Sequence, residues 1–268
     1  MLEPSAVDPT EPAAWIAAAR TVVVFSGAGV SAESGVPTFR GPEGLWRRWR
    51  PEDLATPEAF ARDPRLVWDW YTWRRGLMAG CAPNAAHRAI ATLQVARPGV
   101  HVVTQNVDGL HERALRAAGA EPGPERGVLE LHGSIAHDRC HRCAWRSEEP
   151  RLGGPGPEEP LPTCPRCEGP VRPAVVWFGE LLPQETLERA FALAGAADVC
   201  VVVGTSGLVE PAASVPRVTA AAGGRVVVVG PEPTALDALA DRVLRGPAAG
   251  VLPALLAPAL AGSPPRPA

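Results

Sequence analysis

The sequence predicts an α/β fold: a parallel sheet covered on both faces, interrupted by a small insertion stapled by metal. Three observations carry this. Short apolar runs rich in Val recur along the chain with helical stretches between them, and strands apolar on both faces belong to doubly covered parallel sheets. The first such run leads straight into the glycine-rich turn Gly27-Ala-Gly-Val-Ser-Ala32. Four of the six cysteines fall as two C-x2-C pairs, Cys140/Cys143 and Cys164/Cys167, with twenty residues between the pairs. In a reducing compartment that spacing reads as a zinc site, not a disulfide framework.

A chain of 268 residues, 46% of them hydrophobic, suits one α/β domain carrying an insertion. The Pro-rich residues 1–12 and the tail 262–268 are expected to be flexible. Thr21–Phe25 is the first strand. Thr56-Pro57 and Asp63-Pro64 are helix starts, each a capping residue followed by Pro at the first helical position. The second launches a helix through Leu66–Arg75. Five of the eight Trp lie between Trp46 and Trp73, and an aromatic cluster is first of all core or a lid packing surface. Asn84 caps a further helix through Leu93. Val100–Thr104, Val128–His132, Val199–Gly204 and Arg225–Val229 are the remaining strands, with a helix over Gln184–Ala197. The interval Cys140–Cys167, with the Pro/Gly/Glu loop 147–163 inside it, is too short for a core of its own and needs metal to hold it. Cys200 reads as a small buried hydrophobe, and Cys81 has no assigned place.

Charge and leader analysis narrows the function. A formal net charge of -3 argues against a nucleic-acid binder or a membrane-surface protein. No apolar run of about 18 residues is free of Pro, Gly or charge, so none is expected to span a bilayer. The first residues lack a basic and an apolar region of the secretory kind, so a soluble cytoplasmic protein is expected. All 26 basic residues are Arg, as a GC-rich coding bias or selection against Lys would leave them. As a consequence, the chain has no lysine side chain of its own.

The turn Gly27-x-Gly-x-x-Ala32 stands where a dinucleotide site needs it, after a strand and before a helical segment. The pattern alone serves equally as a tight turn without ligand. The acidic residue that dehydrogenases place at the end of the second strand is missing, so hydride transfer is a poor fit. His132 sits at the C-terminal end of a strand, the edge where parallel sheets place their sites, and imidazole titrates near neutrality. Taken alone it is a core histidine or a base. Four Cys fill every position of a tetrahedral metal and make it structural. His141 is a spare donor. A zinc ribbon can bind nucleic acid, but Glu148, Glu149, Glu158 and Glu159 work against that.

Six blocks follow one another in order: GAGVSAESGVPTFRG (Gly27–Gly41), TQNVDGLH (Thr104–His111), ELHGS (Glu130–Ser134), the cysteine pairs, VVWFGE (Val175–Glu180) and VVGTSGLVEPAA (Val202–Ala213). As a set they closely resemble the sirtuins, NAD-dependent protein deacylases, over about residues 15–257. The resemblance implies a Rossmann-like NAD domain (13–46, 84–135 and 175–261) and a small domain made of a helical insertion (47–83) and a zinc-binding insertion (136–174), with substrate between them. It implies that NAD is consumed: the acyl-lysine carbonyl oxygen attacks the nicotinamide ribose, nicotinamide leaves, a histidine deprotonates a ribose hydroxyl, and water yields lysine and O-acyl-ADP-ribose. By position, His132 matches that histidine. Gly27, Ala28, Gly29 and Ser31 match the family's cofactor turn. Phe39 and Arg40 match its mobile cofactor loop, and Asn106 and Asp108 its nicotinamide pocket. Gln105 matches a ribose contact, Gly204, Thr205 and Ser206 the adenosine side, and Gly230 and Ala248 further cofactor positions. Asp108 can also cap the following helix. Val176, Trp177, Phe178 and Gly179 match the segment that pairs with the peptide backbone.

Tyr71 and Arg74 lie three apart, on one helix face. This Y-x-x-R resembles the mark of class III sirtuins of bacterial type, which remove succinyl and malonyl groups. Arg offers a planar fork to a carboxylate and Tyr a further donor. Ala55 matches a small residue that leaves room for the longer chain. The alternative has Tyr71 packed among the Trp side chains and Arg74 in solvent. One block departs from the family pattern: Gly230 stands where many sirtuins have an Asn that contacts the adenosine ribose. The rival functions are mono-ADP-ribosyl transfer from the same NAD site and a non-catalytic module that binds NAD or acyl-lysine. A monomer is expected.

Overall fold

The computed structural model describes residues 8–39, 44–45, 50–123 and 127–261. Arg40, Trp46, Trp49 and the tail 262–268 lie outside them.

Helix α1 (Thr10–Ala18) opens the chain. Its first turn takes up Thr10–Pro12, which the Pro-rich composition had suggested would be loose; Pro12 is buried there, in the turn where a helix does not miss its N–H. Strand β1 (Val22–Ser26) follows, then a 3-10 helical segment Ala28–Ser34, then α2 (Pro51–Leu54), α3 (Pro57–Arg62) and α4 (Pro64–Ala79). The two Pro-led helices start as expected: Thr56 Oγ1 accepts from Ala59 N, and Asp63 Oδ1 from Leu66 N, each satisfying a donor the helix itself cannot. Next come α5 (Ala85–Ala96), capped by Asn84, β2 (Val100–Thr104), α6 (Leu110–Ala117) and β3 (Val128–Glu130). Strands β4 (Gly133–Cys140) and β5 (Val171–Val175) precede α7 (Gln184–Gly195), β6 (Val199–Val203), α8 (Val215–Ala221), β7 (Arg225–Val229), β8 (Arg242–Leu244) and α9 (Ala248–Ala261).

Six strands form one parallel sheet in the order β3-β2-β1-β6-β7-β8. Alternation along β1 explains why its run is apolar throughout. Val22 and Val24 pack with Ile90, Leu252 and Leu255 on one side, while Val23 and Phe25 pack with Ala190, Ala194 and Val202 on the other. Chain order reverses between β1 and β6, which makes their C-terminal ends the switch point where open α/β sheets bind ligands. Both glycine turns, after β1 and after β6, are at that point.

The second, antiparallel sheet pairs β4 with β5, from Gly133↔Val175 to Cys140↔Val171. It therefore begins at Gly133, slightly ahead of the expected insertion at 136–174. The strand expected to run to His132 stops at Glu130. Gly133 turns the chain from one sheet to the other with φ of 75°, and a Cβ there would lie 2.2 Å from the Ala174 carbonyl oxygen. His132 is thus held in a turn between the two sheets. A separate apolar cluster joins α2–α4 to the small sheet through Leu54, Phe60, Trp68, Tyr71, Val171 and Trp177. Cys81 closes that cluster, and Cys200 lies mid-strand in the main core. Among the described residues no helix is long and apolar enough to cross a membrane.

Candidate active site

The two glycine turns interlock. Gly27 N donates to Val203 O at 3.0 Å and Gly29 N to Gly204 O at 2.8 Å. A Cβ on Gly29 would stand 2.7 Å from Gly204 Cα; Gly204, at φ +60°, would put one 2.3 Å from Val30 N. Side chains are excluded here by the approach of one turn to the other, which brings the N-terminal end of one segment and the C-terminal end of β6 to a common mouth.

That mouth opens into a cleft of about 500 Å³ between the parallel sheet and the small domain. Gly27, Ala28, Gly29, Phe39, Gln105, Asn106, His132, Gly204, Thr205, Ser206 and Gly230 line it from the sheet side. Ala55, Tyr71, Arg74, Val176, Trp177, Phe178 and Gly179 line it from the other. Ser31 and Asp108 lie directly behind the wall. Ser31 Oγ donates to Asp108 Oδ2 at 2.8 Å and accepts from Asn106 Nδ2 at 3.2 Å. The other Asp108 oxygen accepts from Leu110 N at 2.9 Å, so this carboxylate does start α6. Burial raises its pKa. Ala248 does not reach the cleft: it is packed in the main core with Leu252 at the start of α9, where the Glu33 carboxylate accepts from Ala249 N.

His132 has a defined tautomer. Its Nδ1 lies 2.9 Å from the Gln105 carbonyl oxygen, which can only accept, so Nδ1 carries the proton and Nε2 keeps a free lone pair. Burial lowers its pKa below the ordinary imidazole value, against an opposing effect of the Gln105 bond. Gln105 itself is fixed by Nε2 donating to Thr205 Oγ1 at 2.8 Å.

On the small-domain side, Tyr71 is 1% and Arg74 4% exposed. The Arg74 guanidinium carbon sits 4.8 Å from the Trp70 ring centroid and 5.0 Å from that of Phe39. Among the described residues it forms no ion pair. Burial lowers its pKa, partly offset by Tyr71 and by Asp108. The solvated arrangement of Arg74 is therefore not the one adopted. The segment between β5 and α7 is anchored by Val176 N donating to His132 O and Phe178 N to Ala55 O, both at 2.9 Å.

Trp70, Glu180, Glu210 and Glu232 also line the cleft and escaped the sequence reading. Glu180 and Glu210 stood inside the quoted VVWFGE and VVGTSGLVEPAA blocks; Glu232 lies two residues past Gly230 and carries no periodic signal. Gly230 has open space where a Cβ would point. Gly230→Asn is therefore expected to fold and to lower the KM for NAD by up to about tenfold, one hydrogen bond of roughly 0.5–1.5 kcal/mol being gained. An unchanged KM in steady-state kinetics would mean that position 230 contributes nothing to the ribose.

The four cysteine sulfurs all lie within 4.8 Å of one another. Cys140 and Cys167 Sγ are 3.5 Å apart and Cys143 and Cys164 Sγ 3.6 Å. Zn–S bonds of about 2.3 Å place tetrahedral sulfurs roughly 3.8 Å apart, whereas a disulfide needs about 2.05 Å. Arg142 N and Cys143 N donate to Cys140 Sγ, and Arg166 N to Cys164 Sγ, as thiolate ligands require. The donor set fits one structural zinc.

A switch-point cleft with a neutral histidine, closed on its far side by a zinc-stapled lobe, defines an α/β nucleotide-dependent enzyme with room for a second substrate. The chain belongs to the Sir2 family, whose model matches residues 27–211. It is 52% identical over 243 residues to NAD-dependent protein deacylase 2 of Pyrobaculum aerophilum, covering 90% of this chain and 92% of that one. NAD-dependent protein deacylase 1 of Pseudomonas aeruginosa is 49% identical over 252 residues, with 92% and 97% covered. The crystal structure of a Sir2 homolog–NAD complex superposes with a TM-score of 0.84 at 43% identity, over 97% of this chain and 96% of that one.

Proposed function

We propose that this chain consumes NAD to remove acyl groups from protein lysines, acting on succinyl- and malonyl-lysine as well as acetyl-lysine. The NAD-dependent deacylase activity follows from the family and its relatives; the dicarboxylic preference rests on Arg74. A guanidinium that is 4% exposed, stacked on aromatic rings and without an ion pair among the described residues suits an anionic acyl group, since buried charge is normally paired. Tyr71 lines the same wall, and the small Ala55 leaves the space beside them.

In this reading His132 Nε2 takes the proton of a ribose hydroxyl. Asn106, with Asp108 and Ser31 behind it, meets the carboxamide of NAD, whose donors and acceptor an amide can satisfy. NAD supplies the electrophilic ribose carbon; the chain supplies orientation, exclusion of water and the base. The acyl-lysine peptide lies along Val176–Gly179. The enzyme is proposed to work as a cytoplasmic monomer without nucleic acid.

Arg74→Met tests the preference. The expected result is a loss in kcat/KM for a succinyl-lysine peptide of about tenfold to 150-fold relative to the acetyl peptide, from a charge-assisted bond of about 1.5–3 kcal/mol. Equal losses on both peptides would sink the carboxylate role.

A further inference from the structure

We infer that Trp177 helps set acyl-group selectivity through its indole N–H, as the positioning residue that orients the Tyr71 hydroxyl. Trp177 Nε1 donates to the Tyr71 hydroxyl oxygen at 2.9 Å. Both side chains are buried, at 2% and 1% exposure, and both line the cleft.

The indole is held by its neighbours away from the cleft. The Arg172 guanidinium carbon lies 3.8 Å from the Trp177 ring centroid, close enough for a cation–π contact. Arg172 is itself buried and pinned: one nitrogen donates to Val175 O at 3.0 Å and another is ion-paired with Glu180. The second Glu180 oxygen accepts from Trp177 N at 2.9 Å. The Phe60 ring packs 5.3 Å away. Glu180 thus fixes both the backbone of Trp177 and the cation over its ring, and the N–H has one direction in which to point.

A phenol has one proton and two lone pairs. With the indole donating to a lone pair, the Tyr71 proton must turn away from Trp177, and no described residue accepts it. An O–H left without an acceptor in a buried wall is costly unless a ligand provides one. Arg74 stands beside it, its guanidinium carbon 5.7 Å from the Tyr71 ring centroid, so the acceptor that satisfies both is a carboxylate. Burial also raises the Tyr71 pKa, which keeps the proton in place. Without the indole N–H the hydroxyl can rotate, and its orientation toward the acyl end is lost. The inference rests on Arg74 and Tyr71 reading the acyl carboxylate, and adds a residue that this reading does not itself require.

The experiment compares full-length wild type, Trp177→Phe, Tyr71→Phe, the double variant and Arg74→Met on one peptide bearing acetyl- or succinyl-lysine, at saturating NAD. The readout is the succinyl-to-acetyl ratio of kcat/KM, which cancels any effect of Trp177 on the peptide common to both substrates. Trp177→Phe is expected to lower this ratio about fivefold, through the KM of the succinyl peptide, and the double variant to fall no further than Tyr71→Phe alone. Benzothienylalanine at position 177, which replaces N–H by sulfur at constant shape, must give the same loss and serves if the Phe variant does not fold. An unchanged ratio, or additive losses in the double variant, overturns the inference. If Arg74→Met lowers the ratio while Trp177→Phe does not, the inference alone fails. If neither lowers it, the carboxylate reading fails as well.

Discussion

Replacing His132 with alanine is expected to lower NAD-dependent deacylation of either acyl peptide by about 100- to 10,000-fold, the usual contribution of a positioned general base. The geometry makes the imidazole a base rather than an acid. Nδ1 is committed as a donor to the Gln105 carbonyl, and burial holds the pKa below its ordinary value, so Nε2 offers a lone pair at neutral pH. The sign of the pH dependence follows. Protonation removes the base, and because the folded pKa is lowered, activity persists as pH falls through the ordinary imidazole value and is lost only below it. Peptide mass and free nicotinamide, followed together across a pH series, read both effects. A module that only bound NAD or acyl-lysine would keep its binding function in the variant. Unchanged deacylation would remove His132 from the chemistry.

Cys143→Ser should have the largest effect on stability. Structural zinc binding is worth about 10–16 kcal/mol in small zinc modules, comparable with the roughly 5–15 kcal/mol that holds an entire domain folded. Cys140 and Cys164 belong to the same apolar cluster as Trp68, Tyr71 and Trp177, so the metal site and the cleft wall that carries Tyr71 share one core. The expected result is loss of bound zinc by elemental analysis, loss of near-UV signal from the buried Trp side chains, and a lower melting temperature. The wild type treated with a strong chelator should behave alike. A zinc-free variant with unaltered melting and near-UV spectrum would contradict a structural role. The buried Arg75–Asp138 pair, 2.6 Å apart, links α4 to β4 beside this site, and α4 carries both Tyr71 and Arg74. Disorder in the zinc lobe should therefore also reach acyl recognition.

Elements defined by local chemistry were legible. The Thr56-Pro57 and Asp63-Pro64 caps, the Asn84 cap and the Val-rich strands need only neighbouring residues to be recognised, and each appears where expected. The cysteine pairs were equally plain, because ligand spacing is itself a local constraint. Boundaries fared less well. The strand expected to reach His132 stops at Glu130 because the chain must leave one sheet for the other, and the helix that begins at Thr10 recruits a proline-rich stretch because burial of Pro12 and Ile16 outweighs its weak helical propensity. Ala248, matched to a cofactor position by resemblance, is in the main core, since its helix packs on α1 and α5.

Motif chemistry, strand content and metal spacing were determined by the sequence itself, since they depend on residue type and short separations. Tertiary structure alone decided that Arg74 is buried against aromatic rings without a partner carboxylate among the described residues, and that Trp177, just past β5, donates to Tyr71. Neither Arg172 nor Glu180 stood out as the clamp on that Trp. The Trp177–Tyr71 contact joins residues 106 positions apart, brought together by the apolar core that α2–α4 share with the small sheet, and no pattern along the chain records which faces of those elements meet.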